Sequence, residues 1–485
     1  MEGFNWKFVA KVTGFILIIE SLFLFISTGV SYYYQEDIVG LLASGLITFA
    51  VGLLLALKGG IRDKIKIISK RESYFAVALS WFSFALFGAL PFFLSTHFKG
   101  FTDAFFESAS GITTTGASIL SNVEILPYGL IFWRSLLQWL GGMGIIVFSL
   151  ALMPLIGGGA AQLFDAEASG LGLDRFRPKV AQMAKRLWAI YLALTTVLIG
   201  LLYLGPMNLF DAVCHAFSTI STGGFSTKQS SIAFWDSFYV EGVTSGFMIL
   251  AAINFTLIYF TFKGQPKKLL KNEEVHWFLA IILIAVVLMT FSLAYNGTYP
   301  FIESLRNAFF QVSSVITTTG FATAEFSQWG SFCLVVFVFL MIVCGCAGST
   351  SGGLKVVRVI VLAKDTLAEF KRLIHPRAII PVRLNGNAIS FSTVQRLLAF
   401  VFLYIAIIFI SWAVLSMMGI PFIESFSAGV SSLGNVGPAF GSLGPMDSYA
   451  NIPALAKWYL ALLMIIGRLE LFTVLILFTP GFWKR

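Results

Sequence analysis

The chain has 485 residues, of which 57% are hydrophobic and only 12% are charged, and its formal net charge is +9. Soluble domains carry about twice that charged share, so the composition excludes a soluble globular protein and indicates a membrane protein with several spans. The basic residues cluster beside apolar segments, which favours membrane topology over nucleic-acid binding as their cause, and the four cysteines predict neither a disulfide framework nor a metal site.

Ten apolar segments follow one another along the chain, each long enough to cross a bilayer at about 20 residues. They occupy residues 8–33, 38–58, 74–95, 129–156, 187–205, 238–262, 276–295, 331–362, 395–419 and 456–479. Basic clusters follow every even-numbered segment, whereas the loops between odd and even segments are poor in Lys and Arg. The positive-inside rule therefore predicts that both termini lie in the cytoplasm.

Four of the loops between odd and even segments contain a Ser/Thr/Gly-rich piece that is too short to span a membrane. The pieces align on the glycines Gly116, Gly224, Gly320 and Gly437, with Ser110, Ser218, Ser314 and Ser431 six residues earlier. Thirteen residues earlier stand Asp103, Asp211, Asn307 and Glu424, which are expected as helix N-caps. The pattern predicts an internal repeat of span, half-helix, glycine turn and span. Each half-helix would have about ten residues and reach half-way through the bilayer.

The repeat divides the chain into an extra N-terminal pair of spans and four repeats. The predicted boundaries are 1–60 for the pair and 61–160, 161–265, 266–380 and 381–485 for the first to fourth repeats. The fold class predicted is an all-α polytopic membrane protein with four channel-like repeats around a central pore. Half-helices that enter from outside point their partly negative C-terminal ends at a common centre, which favours a cation. Carbonyl groups without a ring of carboxylates suit a monovalent cation.

Six stretches together resemble one known family over essentially the whole chain. They are "DAFFESASGITTTGAS" (103–118), "WLGGMGIIV" (139–147), "HAFSTISTGGFST" (215–227), "GCAGSTSGGLKVVR" (345–358), "HPRA" (375–378) and "GRLELFTVLILFTPGFW" (467–483). The chain resembles the Trk/Ktr/HKT superfamily of potassium transporters, in particular the bacterial TrkH-type membrane subunits. The resemblance implies K⁺ uptake across the bacterial inner membrane by a homodimer embedded in the lipid bilayer. It also implies a cytosolic ring of TrkA-type nucleotide-binding regulatory subunits as partner, and no organic cofactor on this chain.

The resemblance further implies a K⁺ selectivity filter made of backbone carbonyls. Carried over position by position, its residues are Thr114, Thr115, Gly116, Thr222, Gly223, Gly224, Thr318, Thr319, Gly320, Asn435, Val436 and Gly437. In plant relatives a serine in place of the first filter glycine goes with Na⁺ transport, so glycine at all four positions favours K⁺. The fourth repeat has Gly434 where relatives tend to have a polar residue, and departure from four-fold equivalence is expected there.

The run "CGCAGSTSGG" (344–353) interrupts the eighth span and is a poor helix former. The residues alone allow close helix packing or an unwound loop, and the resemblance favours a loop that blocks the pore under the filter. The predicted gate residues are Gly345, Gly348, Ser349, Thr350, Ser351, Gly352, Gly353 and Arg468. Arg468 lies within the tenth span, where a charge is costly. We expect it to face the pore and contact the loop, with an ion pair to another helix as the alternative, and Glu470 to point away.

Several residues outside the filter and gate also have predicted roles. Arg134 is expected to be an interfacial anchor, and Asn254 to bond across to another helix. Segments 160–186 and 364–393 are the predicted docking surfaces for the regulatory ring, with solvated membrane-flanking loops as the alternative. His375 and Pro376 are candidates for that contact, whereas His97, His215 and His276 receive no role.

Two other classes of function stay open alongside a channel-like path. A secondary K⁺ symporter coupled to H⁺ or Na⁺ would also use repeats and broken helices. Four same-sense copies argue against it, and Glu107 and Glu470 are the only carboxylates considered for a relay. A membrane enzyme is disfavoured, because the chain has no H-E-x-x-H, G-x-S-x-G or Walker A motif. The prediction is therefore a transporter and not an enzyme.

Overall fold

The computed structural model describes residues 4–60, 69–156 and 177–483. The chain is mostly helical in these parts, as predicted. The strands described there form one short antiparallel hairpin, Arg383–Leu384 with Asn387–Ala388.

The helices follow one another in the order of the predicted repeats. The N-terminal pair holds α1 (Trp6–Tyr33) and α2 (Val39–Lys58). The first repeat holds α3 (Lys70–Gly88), α4 (Leu90–Leu94), α5 (Phe101–Ile112) and α6 (Tyr128–Ile156). The second holds α7 (Arg177–Tyr203), α8 (Leu209–Ile220), α9 (Phe238–Ala251) and α10 (Phe255–Phe262). The third holds α11 (Lys267–Leu270), α12 (Glu273–Tyr295), α13 (Phe301–Ile316) and α14 (Ser331–Val343), with α15 (Val356–Ile374) after a loop. The fourth holds α16 (Phe391–Met417), α17 (Phe422–Gly434), α18 (Ala454–Arg468), α19 (Phe472–Leu475) and α20 (Pro480–Trp483).

Short 3₁₀ helices lie in the connections. They cover Val123–Ile125, Ser231–Trp235, Phe326–Gln328, Gly441–Leu443, Tyr449–Asn451 and Ile476–Phe478. Five of these six 3₁₀ helices lie in the four connections that join the short helix of a repeat to the apolar helix after it.

Six of the described helices are long and apolar enough to cross a membrane, and two bent pairs would raise the number to eight. The bent pairs are α9 with α10, at 104°, and α18 with the chain from α19 to Phe478, at 109°. The ten spans and the topology of the repeats therefore stay predictions. Several apolar helices of spanning length nevertheless agree with a membrane protein.

Each even-numbered segment from the fourth to the tenth is interrupted. Gly144 breaks the helical geometry inside α6 with a φ of 62°. The other interruptions are residues 252–254, 344–355 and 469–471. Only the break at 344–353 was predicted, although the break at Gly144 also lies in a glycine cluster, Gly141, Gly142 and Gly144. The break at 252–254 has a local signal after all, since the Asn254 side chain accepts from Thr256 N at 2.8 Å and caps α10.

The short helices before the four alignment glycines are α5, α8, α13 and α17, with 12, 12, 16 and 13 residues. The predicted N-caps are wrong. The caps are Gly100, Asn208, Pro300 and Pro421, so the predicted residues all lie inside the helices. Three of the four are acids in the first turn, where the helix dipole and free N–H groups stabilise negative charge.

The N-terminal pair packs tightly on itself and on the first repeat. A Cβ on Gly14 of α1 would lie 2.5 Å from the backbone nitrogen of Ala56 in α2, so the two helices touch through small residues. The α1 helix also packs against α3 and α6. It buries Glu20, whose carboxylate oxygens have no hydrogen-bond partner.

Candidate functional site

Four turn segments follow directly on the short helices. They are residues 113–116, 221–224, 317–320 and 434–437, the stretches predicted to form a filter. In each segment, the third residue donates its backbone N–H to the carbonyl of the serine that stands six residues before the glycine, at 2.8–2.9 Å. The second residue donates its backbone N–H to the carbonyl of the residue that follows this serine, at 3.0–3.3 Å. This pair of bonds is the Schellman ending of a helix. The four segments therefore share one backbone conformation, and the repeat serines contribute their carbonyl groups to it.

Each turn segment contains two residues in the left-handed region. The second residues are Thr114, Thr222, Thr318 and Asn435, with φ of 55°, 55°, 60° and 55°. The fourth residues are Gly116, Gly224, Gly320 and Gly437, with φ of 85°, 79°, 82° and 102°. Glycine takes these angles freely, but a β-branched threonine rarely does. Three threonines held in this strained conformation mark a site whose geometry the surrounding fold enforces.

The four turn segments meet one another in a closed ring. A Cβ on any of the four glycines would come nearer than 3.0 Å to a carbonyl oxygen of the next repeat, which only glycine avoids. The contacts are Gly116 with Gly223 O, Gly224 with Thr319 O, Gly320 with Val436 O and Gly437 with Thr115 O. In every case the carbonyl belongs to the residue just before the neighbouring glycine. The contacts run from the first repeat to the second, to the third, to the fourth and back to the first. They bring the predicted residues of all four repeats together around one centre.

The same four glycines line a single cavity of about 60 Å³ on the side where the chain leaves the ring. That volume has room for several water molecules. Lys228 and Asp447 are the charged side chains of the cavity wall besides Arg134. The ring is thus open to a small cavity on this side.

The loop 344–355 lies against the ring from the side of the short helices. Thr350 Oγ1 lies 3.1 Å from both Ile220 O and Ala251 O, so it contacts the end of α8 and the break after α9. Gly352 N donates to Thr318 Oγ1 at 3.0 Å, and a Cβ on Gly352 would overlap the carbonyl oxygen of Gly434. The loop therefore contacts the second, third and fourth repeats directly at their turn segments.

The other predicted gate residues hold the loop in shape. Ser349 Oγ donates to Cys346 O at 2.6 Å and lies 2.7 Å from Ser351 Oγ. A Cβ on Gly348 would lie 2.8 Å from the amide nitrogen of Asn254, so the loop packs on the break after α9. A Cβ on Gly345 would overlap the Ser351 hydroxyl, and one on Gly353 would overlap the Cys344 thiol. The buried Lys355, which received no firm role from the sequence, donates its ammonium to Ser351 O.

Arg468 is the last residue of α18, and its guanidinium joins the loop to α6. Nη1 donates to Thr350 O at 2.7 Å, and Nη2 donates to Gly141 O at 2.6 Å and Gly142 O at 3.1 Å. Glu470 contacts a different partner, the Arg358 guanidinium on α15. The expected contact between Arg468 and the loop is therefore present in the structure.

The prediction that Arg134 is an interfacial anchor is wrong. Its side chain is buried, and Nε and Nη2 both lie 2.7 Å from Glu107 Oε1 on α5. Glu107 also accepts from Ser118 Oγ at 3.0 Å and from Ile119 N at 3.0 Å. The ion pair thus fixes the chain just beyond the first turn segment, and it engages the carboxylate that was considered for a relay.

Each repeat ties its short helix to the chain that leaves the turn segment. The tie comes from the residue nine positions before the glycine in three repeats and from its neighbour in the fourth. The contacts are Glu107 Oε2 with Ile119 N (3.0 Å), His215 Nε2 with Ser226 Oγ (2.9 Å), the Gln311 amide with Thr323 N (2.8 Å, when the amide oxygen is turned toward that N–H) and Ser427 Oγ with Phe440 N (3.0 Å). His215 therefore has a structural role that the sequence analysis missed. The signal for this role was a polar residue nine positions before the glycine in three of the four repeats, Glu107, His215 and Gln311.

Of the two predicted docking surfaces, residues 160–176 lie outside the described residues and 177–186 form the start of α7. The other surface, 364–393, contains the end of α15 and the β-hairpin. Arg372 pairs there with Glu369 at 2.8 Å and Asp365 at 3.1 Å. Leu373 and Ile374 are 71% and 72% exposed, so this surface is basic and partly apolar.

Comparison with known proteins gives one consistent result. Residues 42–484 match the TrkH family, described as a cation transport protein. The Trk system potassium uptake protein TrkH of Salmonella typhimurium is 36% identical over 486 residues, covering 99% of this chain and 100% of that protein. The Trk system potassium uptake protein TrkG of Escherichia coli is 33% identical over 491 residues, covering both proteins completely. The crystal structure of the potassium transporter TrkH from Vibrio parahaemolyticus superposes with a TM-score of 0.89 at 33% identity, covering 99% of each chain.

Proposed function

The chain belongs to the TrkH family of cation transport proteins, a family of transporters and not of enzymes, and we propose that it takes up K⁺ through the ring of turn segments. The observation that carries the proposal is the closed ring, in which four segments of one backbone conformation present carbonyl groups to each other's glycines. The curated relatives, which are named for potassium uptake, support K⁺ as the ion.

The chemistry of the ring suits a monovalent cation. Four short helices end at it, and the negative ends of their dipoles favour positive charge. The turn segments contain only Thr, Ser, Gly, Asn and Val, so their ligands are carbonyl and hydroxyl oxygens. Such neutral oxygens can replace the hydration shell of K⁺, whereas Ca²⁺ sites are usually rich in carboxylates. The proposed filter residues are the twelve named from the sequence.

The loop 344–355 is the proposed gate. It contacts three of the four repeats at the ring, and Arg468 ties it to α6. A loop in this position would close the pathway on the side opposite the cavity. Its opening would require the bond between Arg468 and Thr350 to break, which gives the gate a specific latch.

The remaining proposals concern assembly. A regulatory nucleotide-binding ring of the TrkA type would dock on the surface 364–393, whose mixed basic and apolar character fits a protein partner better than plain solvent. The naming of the relatives as parts of a Trk system supports a further component. A homodimer in the bacterial inner membrane, with both termini in the cytoplasm, completes the proposal.

A proton-coupled symporter is the second candidate, because Glu20 is a fully buried carboxyl group that the sequence analysis overlooked. Intramembrane carboxyl groups mark proton pathways in pumps and transporters. Coupling would make Rb⁺ uptake depend on an imposed pH gradient at constant membrane potential, and Glu20→Gln would abolish that dependence. Equal uptake with and without the gradient would eliminate this candidate.

The test of the main proposal is radiotracer Rb⁺ uptake into proteoliposomes that contain the chain alone. We expect external K⁺ to inhibit uptake while Na⁺ and Li⁺ do not, and Gly116→Ser to alter this order. The pore proposal fails if no flux occurs even with the regulatory partner supplied and residues 345–353 deleted.

A further inference from the structure

The turn segments differ in how they brace their third residue. In the first repeat the hydroxyls of Thr113 and Thr115 pair at 2.8 Å, and in the third repeat those of Thr317 and Thr319 pair at the same distance. The second repeat has glycine at the third position, Gly223, so this internal brace is missing there. Glycine is also the most flexible residue, which leaves the second segment in need of another support.

Gln138 of α6 supplies that support. Its Nε2 donates to Gly223 O at 2.6 Å, and its Oε1 accepts from Phe225 N at 3.0 Å. Its amide also fills the space that a side chain at position 223 would take, since a Cβ there would lie 2.6 Å from Gln138 Oε1. Gln138 is fully buried.

The support comes from the neighbouring repeat. Gln138 and Arg134 lie four residues apart on α6, and so they share one face of that helix. Arg134 Nη1 donates to Ser226 O at 3.3 Å, and its guanidinium lies 4.0 Å over the Phe225 ring. The second turn segment is therefore held between its own short helix and a helix of the first repeat.

We propose that Gln138 is a specificity-determining positioning residue, which fixes the Gly223 carbonyl at the ring. The carbonyl oxygen has two lone pairs. One is used by the Gln138 amide, while the oxygen also faces Gly116 of the first repeat as a member of the ring. Discrimination between K⁺ and Na⁺ depends on where such carbonyls stand and how strongly they bind. This inference rests on the proposed function of the ring.

The first arm of the test is Gln138→Met, which keeps the volume of the side chain but cannot hydrogen-bond as an amide. In the Rb⁺ uptake assay, we expect Na⁺ to compete about tenfold better than in the wild-type chain, the factor set by loss of the one hydrogen bond that holds the Gly223 carbonyl. Total Rb⁺ uptake should change about twofold or less. The matched control is Gln265→Met, at an exposed position between α10 and α11, which should leave competition unchanged.

The second arm restores the brace in a different way. Gly223→Thr alone would overlap the Gln138 amide and should lose uptake. Gln138→Ala combined with Gly223→Thr removes that overlap and pairs the new hydroxyl with Ser221, as in the first and third repeats. We expect the double variant to discriminate K⁺ from Na⁺ better than Gln138→Ala alone, because the new hydroxyl pair again fixes residue 223.

The outcomes separate the two proposals. A wild-type chain that carries Rb⁺ without preferring K⁺ over Na⁺ refutes the proposed function itself. A selective wild-type chain with an equally selective Gln138→Met variant refutes only the role of Gln138. If Gln138→Met does not fold, as judged by size-exclusion chromatography, Gln138→Ala, which removes the same bond without adding volume, decides in its place: weaker discrimination supports the role, and unchanged discrimination overturns it.

Discussion

Replacing Arg468 by methionine is expected to raise uptake by the chain without its regulatory partner. The guanidinium holds the loop through Thr350 O at 2.7 Å and is itself anchored on Gly141 O and Gly142 O. A hydrogen bond to a charged group contributes about 1.5–3 kcal/mol. Because the bond to Thr350 joins the guanidinium to the loop, its loss should shift the balance between open and closed loops by roughly 10- to 150-fold.

The assay is the initial rate of Rb⁺ uptake into proteoliposomes, compared at equal amounts of folded protein. Arg468→Lys keeps the positive charge but lacks the planar fork that bonds the loop and α6 together, so its rate should lie between those of wild type and Arg468→Met. Arg396→Met removes the same charge at an exposed position on α16 and serves as the control. The latch is refuted if Arg468→Met transports no faster than the control, and Arg468→Lys equal to wild type would assign the effect to charge alone.

Two further predictions concern the ring and its support. Gly224→Ser places a side chain against a carbonyl of the third repeat, in a left-handed conformation that costs about 1–2 kcal/mol. This variant should admit Na⁺ in tracer uptake. The control Gly200→Ser, in open space on α7, should not. Glu107→Gln leaves the Arg134 charge buried without its carboxylate and should lower the free energy of unfolding by about 3–5 kcal/mol. Thermal unfolding in detergent measures this loss of stability. The control Glu124→Gln, which breaks an exposed pair, should lower the free energy of unfolding by about 1 kcal/mol or less. Equal effects of the two changes would mean that the buried pair does not stabilise the fold.

The parts of the site that follow from local sequence were predictable. The glycines recur because a Cβ would meet the next repeat, and this constraint acts on one residue type, so four copies of it stand out in alignment. The backbone carbonyl of the serine six residues earlier accepts from the turn segment, but any residue could supply that carbonyl, so the bond does not explain why serine recurs. The contact of Arg468 with the loop was predictable for a different reason, since a charge within an apolar segment needs a partner.

The parts that depend on distant contacts were not predictable. Arg134 and Glu107 are separated by 27 positions and lie on different helices, so no helical spacing joins them. Gln138 supports Gly223, which lies 85 positions away along the chain. This support is needed only because Gly223 lacks a side chain. The breaks at 252–254 and 469–471 contain no glycine or proline, so the composition of these residues gave no sign of them.

The N-cap error has a simple physical cause. An aspartate or glutamate is favourable both at the cap and in the first turn, because both positions lie near the positive end of the helix dipole. Asp103, Asp211 and Glu424 are each the third residue of their helices, where the acid interacts with that dipole. Composition alone could not separate these positions.

The most direct test of the central claim is the anomalous scattering of Rb⁺ or Tl⁺ in crystals of the chain. The account predicts anomalous peaks on the axis of the ring, between the carbonyl oxygens of Thr115, Gly223, Thr319 and Val436, and weaker or displaced density in crystals grown in Na⁺. Ordered ions elsewhere in the chain, with none inside the ring, would contradict the claim that these four segments select the cation.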